Sequence, residues 1–233
     1  MTTENHQKNL KLNPRLAKIA ELLPNCQCLA DIGTDHAYIP IYALLCGKTR
    51  CAIASDINRG PVDRADTNAR LFGVEDKLSL RLGAGLETIN PSEAEVIVIA
   101  GMGGILISDI LEKSKAVALS SKYLILQPMT AAKELREYLC ANSFSIERED
   151  LVAEEDKIYN ILCVRPGGKT QYTEKELILG KGLDKAAPQL YGRYFAGIER
   201  KLKIRLSGLE SSALPQNQEL IKEVRRQIEL INN

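Results

Sequence analysis

Asp31, Gly33, Asp35 and His36 fall within six positions of one stretch, LADIGTDHAYIP, running from Leu29 to Pro40. An apolar, strand-forming run leads into them, and in α/β proteins ligands bind just beyond such strand ends. Dinucleotide sites place repeated glycines there so that backbone amides can approach a pyrophosphate closely. This turn has a single glycine, and Asp31 and Asp35 would repel phosphate. Their charge suits a nucleoside ligand without phosphate that carries cationic groups. S-adenosylmethionine, with a sulfonium and an ammonium, has that chemistry. Asp56 closes the next apolar run 23 residues after Gly33, where a carboxylate can accept the two hydroxyls of a ribose. Taken singly, Asp31 could cap a turn, Gly33 could supply a positive φ, and Asp56 could be a surface acid. Their order at successive strand ends points to a cofactor.

The elements that must hold these residues alternate from residue 28 to about 165. Short β-branched runs predict strands at 28–33, 51–56, 78–82, 95–100, 123–127, 145–151 and 158–164, with helix-like segments between most of them, as in a parallel sheet with crossover helices. About six residues separate the last two strands, too few for a crossover helix, so they must form an antiparallel hairpin. Helices are expected from YIPIYALLCG ending at Gly47, from GPVDRADTNARLFG with Pro61 and Gly73 as start and stop, and from TAAKELREYLCAN opening on Thr130. AGMGG, residues 100–104, reads as the turn after the fourth strand.

RPGGKTQYT, residues 165–173, reads as a linker. Beyond it Tyr191, Phe195, Ile198, Leu202 and Leu209, then Leu220, Val224, Ile228 and Ile231, recur at the period of one helical face. They predict a helical hairpin, residues 185–212 and 215–232, packed as a short antiparallel coiled coil. From Arg193 to Asn233 there are eight Lys or Arg against five Asp or Glu. Arg200, Lys201, Lys203 and Arg205 concentrate the excess, either as a solvated helix face or as a surface that tracks nucleic acid.

Composition sets the class. With 233 residues, 45% hydrophobic and 26% charged, the chain can bury a full core. Its apolar runs fall far short of the roughly 20 residues that cross a bilayer, and MTTENHQKNLKLN is no apolar signal region, so the expectation is a cytoplasmic protein away from membranes. The six cysteines form no Cys-x-x-Cys pair and only His6 and His36 offer imidazole, so they are read as reduced thiols with no metal site.

LADIGTDHAYIPIYAL, AIASDINRGPVDRADTNA, VIVIAGMGGILISDIL, LILQPMTAAKELREYL and EEDKIYNIL together closely resemble the bacterial tRNA (adenine-N1)-methyltransferase family, which modifies the adenosine at position 22 of tRNA. The resemblance covers about residues 10 to 165 and continues loosely into the tail. It implies an α/β fold with a class I methyltransferase Rossmann-like sheet whose last strand is antiparallel. A methyltransferase domain over 1–165 would be followed, over 166–233, by a linker and a small coiled-coil domain that helps hold tRNA, in a monomeric enzyme. By position, Asp31, Gly33 and Asp35 match the family's first cofactor motif, and Asp56, Ile57 and Asn58 its ribose and adenine edge. One departure is Ala84, in RLGAGLETI, where the family is expected to carry an aspartate that meets the cofactor's adenine amino group. A backbone amide of Ala84 or Gly85 is expected to serve instead.

Methyl transfer to N1 of adenine is an in-line displacement, and the catalyst's main task is alignment. Asp35, with His36 and Tyr38 beside it, is expected to face the exocyclic amine of the base, where positive charge develops. A backbone-bonded turn would equally explain His36, and helix packing Tyr38. Gly101 and Met102 are expected on the cofactor side of the AGMGG turn and Gly103 and Gly104 on the side of the base, although a tight turn alone would account for the glycines. Gln127, Pro128 and Met129 are second-tier pocket candidates. Because N1 lies on the pairing edge, the base must be flipped out. Phosphate contacts are expected from Arg200, Lys201, Lys203 and Arg205, together with Lys8, Lys11, Arg15 and Lys18. The rival readings are a class I methyltransferase acting on another RNA or a small molecule, a dinucleotide-dependent oxidoreductase, and a nucleic-acid-binding scaffold with a vestigial cofactor fold.

Overall fold

The computed structural model describes residues 10–212 and 215–233. Seven strands form one sheet: β1 (Cys26–Ile32), β2 (Thr49–Asp56), β3 (Leu78–Leu82), β4 (Val96–Gly103), β5 (Tyr123–Thr130), β6 (Phe144–Glu154) and β7 (Lys157–Pro166). Their order is β3-β2-β1-β4-β5-β7-β6, with β1 to β5 parallel and β7 antiparallel to β5 and β6. Strand order reverses between β1 and β4, so the crevice at their carboxyl ends is the natural ligand site. The antiparallel hairpin is tighter than expected, because β6 and β7 pair out to Glu154 and Lys157 and leave a two-residue turn.

Side-chain alternation builds two core layers. On β4, Ile97 and Ile99 face Ile107 and Leu111 of α4 (Gly104–Lys113), Val117 and Ala118 of α5 (Lys115–Ser120), and Leu135 and Leu139 of α6 (Ala132–Ala141). Val96 and Val98 point the other way, toward Ile19 and Ala20 of α1 (Pro14–Leu22), Ile39 and Ile41 of α2 (Tyr38–Leu45), and Ala65 and Ala69 of α3 (Arg59–Phe72). All of these side chains are buried.

Two local expectations are corrected. AGMGG is no simple turn: β4 continues through Gly103, pairing Met102 with Pro128 and Gly103 with Thr130, with irregularities on both sides of Met102. Gly101 takes φ +81 there and carries the bulge. Thr130 does not cap α6; it ends β5, and Ala131 enters the helix at φ +53 without a side-chain cap.

Beyond β7, among the described residues, the chain is helical: α7 (Glu174–Leu179), α8 (Leu183–Ala186), α9 (Pro188–Ser211) and α10 (Gln218–Asn232). The expected first helix of the hairpin starts later than residue 185, because Pro188 lacks an N–H and stands at the first turn of α9. A 3-10 turn, Pro215–Asn217, precedes α10. Ile178, Leu179, Phe195, Ile198, Leu202, Leu230 and Ile231 pack together, whereas Leu220 is 44% exposed.

The segment after β7 is strapped down by polar contacts. Thr170 accepts from the Ile146 amide at 2.7 Å, and the Tyr172 hydroxyl donates to Glu149 at 2.8 Å. Glu149 and Arg136 are fully buried and paired at 2.8 Å. Arg136 also donates to the Leu177 carbonyl at 2.8 Å and to Asn160 at 2.9 Å, while Glu149 accepts from the Lys181 amide at 3.0 Å. Burial alone would lower the Arg136 pKa, and the charge of Glu149 more than offsets it. One buried ion pair thus ties α6, β6 and β7 to the C-terminal helices.

Candidate active site

The DIGTDHA turn is held open by its own backbone and by its neighbours. Gly33 has φ +75 and Ala37 φ +54, so the chain reverses twice before α2. The amides of Gly33 and Thr34 donate to the Ser55 carbonyl at 2.8 and 3.0 Å, the Ala37 amide donates to Thr34 Oγ1 at 3.0 Å, and Asn68 donates to the His36 carbonyl at 3.0 Å. These bonds fix Asp31, Asp35, His36 and Tyr38 around a cavity of about 350 Å³, which Arg15, Ala100 and Gly101 close from the other side. The His36 and Tyr38 rings stack at 5.0 Å. Asp35 pairs with Arg64 and stands 3.4 Å from His36. Arg64 thus belongs to the site although nothing in its local sequence marked it.

Asp31 is electrostatically unusual. Burial pushes its carboxyl up to about 6, with Asp56 adding to the rise and Thr34 and Arg15 opposing it. A cation placed beside such an acid would stabilise its ionised form.

A second cavity, of about 280 Å³, lies across Gly33 and is lined by Asp56, Ile57, Ala84, Gly85, Met102, Leu106, Asp109 and Ile110, among others. Asp56 is oriented by the Asn58 amide, which donates to its Oδ1 at 2.7 Å; Asn58 contributes this bond rather than a wall. Ile57 is 66% exposed and Leu106 51%, large apolar groups left wet beside a slot that a flat aromatic ring would cover. A Cβ built on Gly33 would lie 2.0 Å from the Met102 Cε. Met102 therefore rests over Gly33, where the two cavities meet; a side chain at position 33 would push the flexible end of Met102 aside and would have to adopt φ +75. The pair of cavities fits S-adenosylmethionine: an apolar slot beside the Asp56 carboxylate, adjoining an acidic chamber at Gly33. Ala84 does line the slot, and carboxylates near it come from Asp109 and Glu87.

Gln127 organises the chamber wall. It is fully buried, and its Oε1 accepts from Arg15 Nη1 at 2.8 Å and from the Gly101 amide at 3.2 Å. Its Nε2 donates to the Pro128 carbonyl at 3.0 Å. Arg15 lies over the Tyr159 ring, 5.7 Å from its centroid. Arg15 was expected on phosphate and instead lines the chamber. Lys18 pairs with Asp150 at 3.0 Å, and Asp150 is only 3% exposed, so Lys18 is committed to the core edge. Lys8 lies outside the described residues.

The other expected positions separate. Gly103 borders Thr130, and a Cβ on Gly104 would meet the Ala131 carbonyl at 2.1 Å, so Gly104 serves helix-to-strand packing. Pro128, Arg200, Lys201 and Arg205 line grooves between β5, β7 and α9, apart from the two cavities. Lys203 points elsewhere and pairs with Glu199 at 2.7 Å.

Comparison with known proteins agrees with this geometry. Residues 12–162 match the family model described as "Methyltransferase domain". The tRNA (adenine(22)-N(1))-methyltransferase of Bacillus subtilis (strain 168) is 42% identical over 160 residues, 69% of this chain and 67% of that protein. The crystal structure of the B. subtilis m1A22 tRNA methyltransferase superposes with a TM-score of 0.86 at 33% identity, covering 96% of this chain and 98% of the other. A Streptococcus pneumoniae protein, described as a putative tRNA (m1A22) methyltransferase and solved with S-adenosyl-L-methionine, gives a TM-score of 0.77 at 30% identity over 94% and 96% of the two chains. The chain belongs to the tRNA (adenine(22)-N1)-methyltransferase family.

Proposed function

We infer that this protein transfers the methyl group of S-adenosylmethionine to N1 of adenosine 22 in tRNA. The observation that carries the reading is the buried Asp31 in an acidic chamber that adjoins an apolar slot at Gly33, in a chain 42% identical to a tRNA (adenine(22)-N(1))-methyltransferase.

S-adenosylmethionine, when bound, supplies an electrophilic methyl on a cationic sulfur. The protein's residues then do the positioning. Asp56 would accept the ribose hydroxyls, Ile57 and Leu106 would cover the adenine, Ala84 and Gly85 would approach its edge with backbone, and Asp31 would receive the ammonium. Arg15, a cation lining the same chamber, stands where it can meet a carboxylate. Asp35, His36 and Tyr38 face the incoming base from one side and Gly101, rather than Gly103, from the other, with Gln127 holding the Gly101 amide. N1 would attack the methyl carbon with its own lone pair while the carbon–sulfur bond breaks and its electron pair leaves with sulfur as a neutral thioether, so no base need remove a proton. The ring gains positive charge as the bond forms, and a carboxylate at Asp35 beside the exocyclic amine stabilises that charge. Gly101, which has no side chain, lets the flipped ring approach the backbone.

Incubation of the protein with unmodified tRNA and S-adenosylmethionine, followed by digestion to nucleosides and mass spectrometry, tests the reaction. The expected product is 1-methyladenosine. A methyl group on the exocyclic nitrogen, or on another base, would refute the assignment of the atom.

A further inference from the structure

Along the edge remote from its ribose, an adenine ring presents two complementary groups: the ring nitrogen N1 accepts a hydrogen bond and the exocyclic amine donates one. A slot that selects adenine among purines therefore needs an acceptor for the amine, because a donor taken out of water and left unpaired costs affinity. In the slot beside Asp56 the connection after β3 brings Ala84, whose side chain cannot accept and whose carbonyl already accepts from the Glu87 amide at 3.1 Å. Asp56 itself belongs to the ribose end and has its Oδ1 engaged by the Asn58 amide at 2.7 Å. The other carboxylates in the lining are those of Glu87 and Asp109.

The geometry of α4 favours Asp109. Leu106, Asp109, Ile110 and Lys113 line the slot, and their positions i, i+3, i+4 and i+7 share one face of the helix. A helical side chain leans toward the N-terminus of its helix, which directs Asp109 toward Leu106 and so toward the apolar cover of the ring. The opposite wall closes on the same turn of α4. Gly85 takes φ +53, and a Cβ built on it would lie 3.0 Å from the Ile110 Cγ2. Ala84 and Asp109 are the chain neighbours of the two residues in that contact, so they flank the slot at one level. Among the described residues neither Asp109 nor Glu87 makes an ion pair, whereas Glu93 of the same connection and Glu112 of the same helix both do.

We propose that Asp109 accepts the exocyclic amine of the cofactor's adenine, so that selectivity for an adenosyl ligand is supplied from α4 where the connection after β3 carries Ala84. The proposal rests on the reading of this slot as the adenosine end of the S-adenosylmethionine site. Backbone at Ala84 and Gly85 then serves the ring nitrogens, and the carboxylate serves the amine.

The test is binding, and needs no turnover. Calorimetry on the full-length protein compares S-adenosylhomocysteine with its analogue carrying unsubstituted purine in place of adenine, which lacks only the amine. A hydrogen bond to a charged acceptor gives the wild type a preference of about tenfold or more for the adenine ligand. Asp109→Ala is expected to lose that preference through weaker binding of S-adenosylhomocysteine alone, with affinity for the purine analogue unchanged, and Glu87→Ala is expected to keep it. A preference retained in Asp109→Ala, an equal loss of affinity for both ligands in that variant, loss of the preference in Glu87→Ala, or a wild type that binds both ligands equally overturns the proposal. A wild type that binds neither ligand refutes the cofactor reading itself.

Discussion

Replacing Asp31 by Asn should make the ligand-free protein more stable at pH 8 and a poorer binder of its cofactor. The carboxyl is raised from 3.8 to about 6, and each unit corresponds to about 1.4 kcal/mol, giving about 3 kcal/mol in total. The sign follows from linkage. Between pH 4 and 6 the unfolded chain has already released this proton while the folded chain retains it, so wild-type stability from this group falls as pH rises and is lost above about 6. Asn cannot ionise and escapes that loss. Melts of the two proteins should nearly coincide near pH 4, and at pH 8 the variant should melt roughly 6–12 °C higher at about 2–4 °C per kcal/mol. Titration with S-adenosylhomocysteine supplies the other half. Wild-type affinity should weaken by up to about tenfold per unit as pH falls below 6, because a proton competes with the ligand's ammonium, and the variant should bind weakly with no such dependence. If the difference between the melts did not change with pH, or if the variant kept wild-type affinity at pH 8, Asp31 would not be the buried cation receptor described here.

Other consequences can be checked alongside. Arg136→Ala strands Glu149 in a fully buried position, so urea unfolding should show a loss of about 3–5 kcal/mol, and a loss below about 1 kcal/mol would show that the pair does not anchor the C-terminal helices. Gly104→Ala drives a methyl onto the Ala131 carbonyl and should cost about 1–3 kcal/mol in the same assay; a neutral substitution would mean that this approach is softer than it looks. Gln127→Leu leaves the Gly101 amide and Arg15 without their shared acceptor, and kcat should fall roughly tenfold or more while S-adenosylhomocysteine binding holds; a change confined to cofactor affinity would move Gln127 out of the base-facing wall.

Much of this was legible in the sequence because it depends on local pattern. Strand periodicity found all seven strands, and the short spacing before β7 found the antiparallel hairpin. Asp31, Gly33, Asp35 and Asp56 were legible because strand ends in an α/β sheet converge wherever they lie in the chain. Residues that reach the site from distant elements carried no such mark. Arg15 comes from α1, which the sequence reading overlooked although Asn13 and Pro14 are an ordinary cap and first-turn pair. Arg64 is one arginine among several on α3, and its partner Asp35 is 29 positions away. Arg136 and Glu149 carried no mark either, since periodicity treats every charged residue as exposed; only the packing of α6, β6 and α7 shows that they are buried together. Thr130 misled for a related reason. A cap-forming residue type before a helix is a local preference, and here the pairing of β5 with β4 took precedence over it.

Delivery of a methyl group to one nitrogen of one tRNA adenosine is the reaction these cavities are read to perform. Its most direct test is transfer of labelled methyl from S-adenosylmethionine to two unmodified transcripts of one tRNA, identical except for adenosine or guanosine at position 22. Label on the adenosine transcript alone, recovered as 1-methyladenosine, is the predicted result; equal label on both, or none on either, would contradict the account.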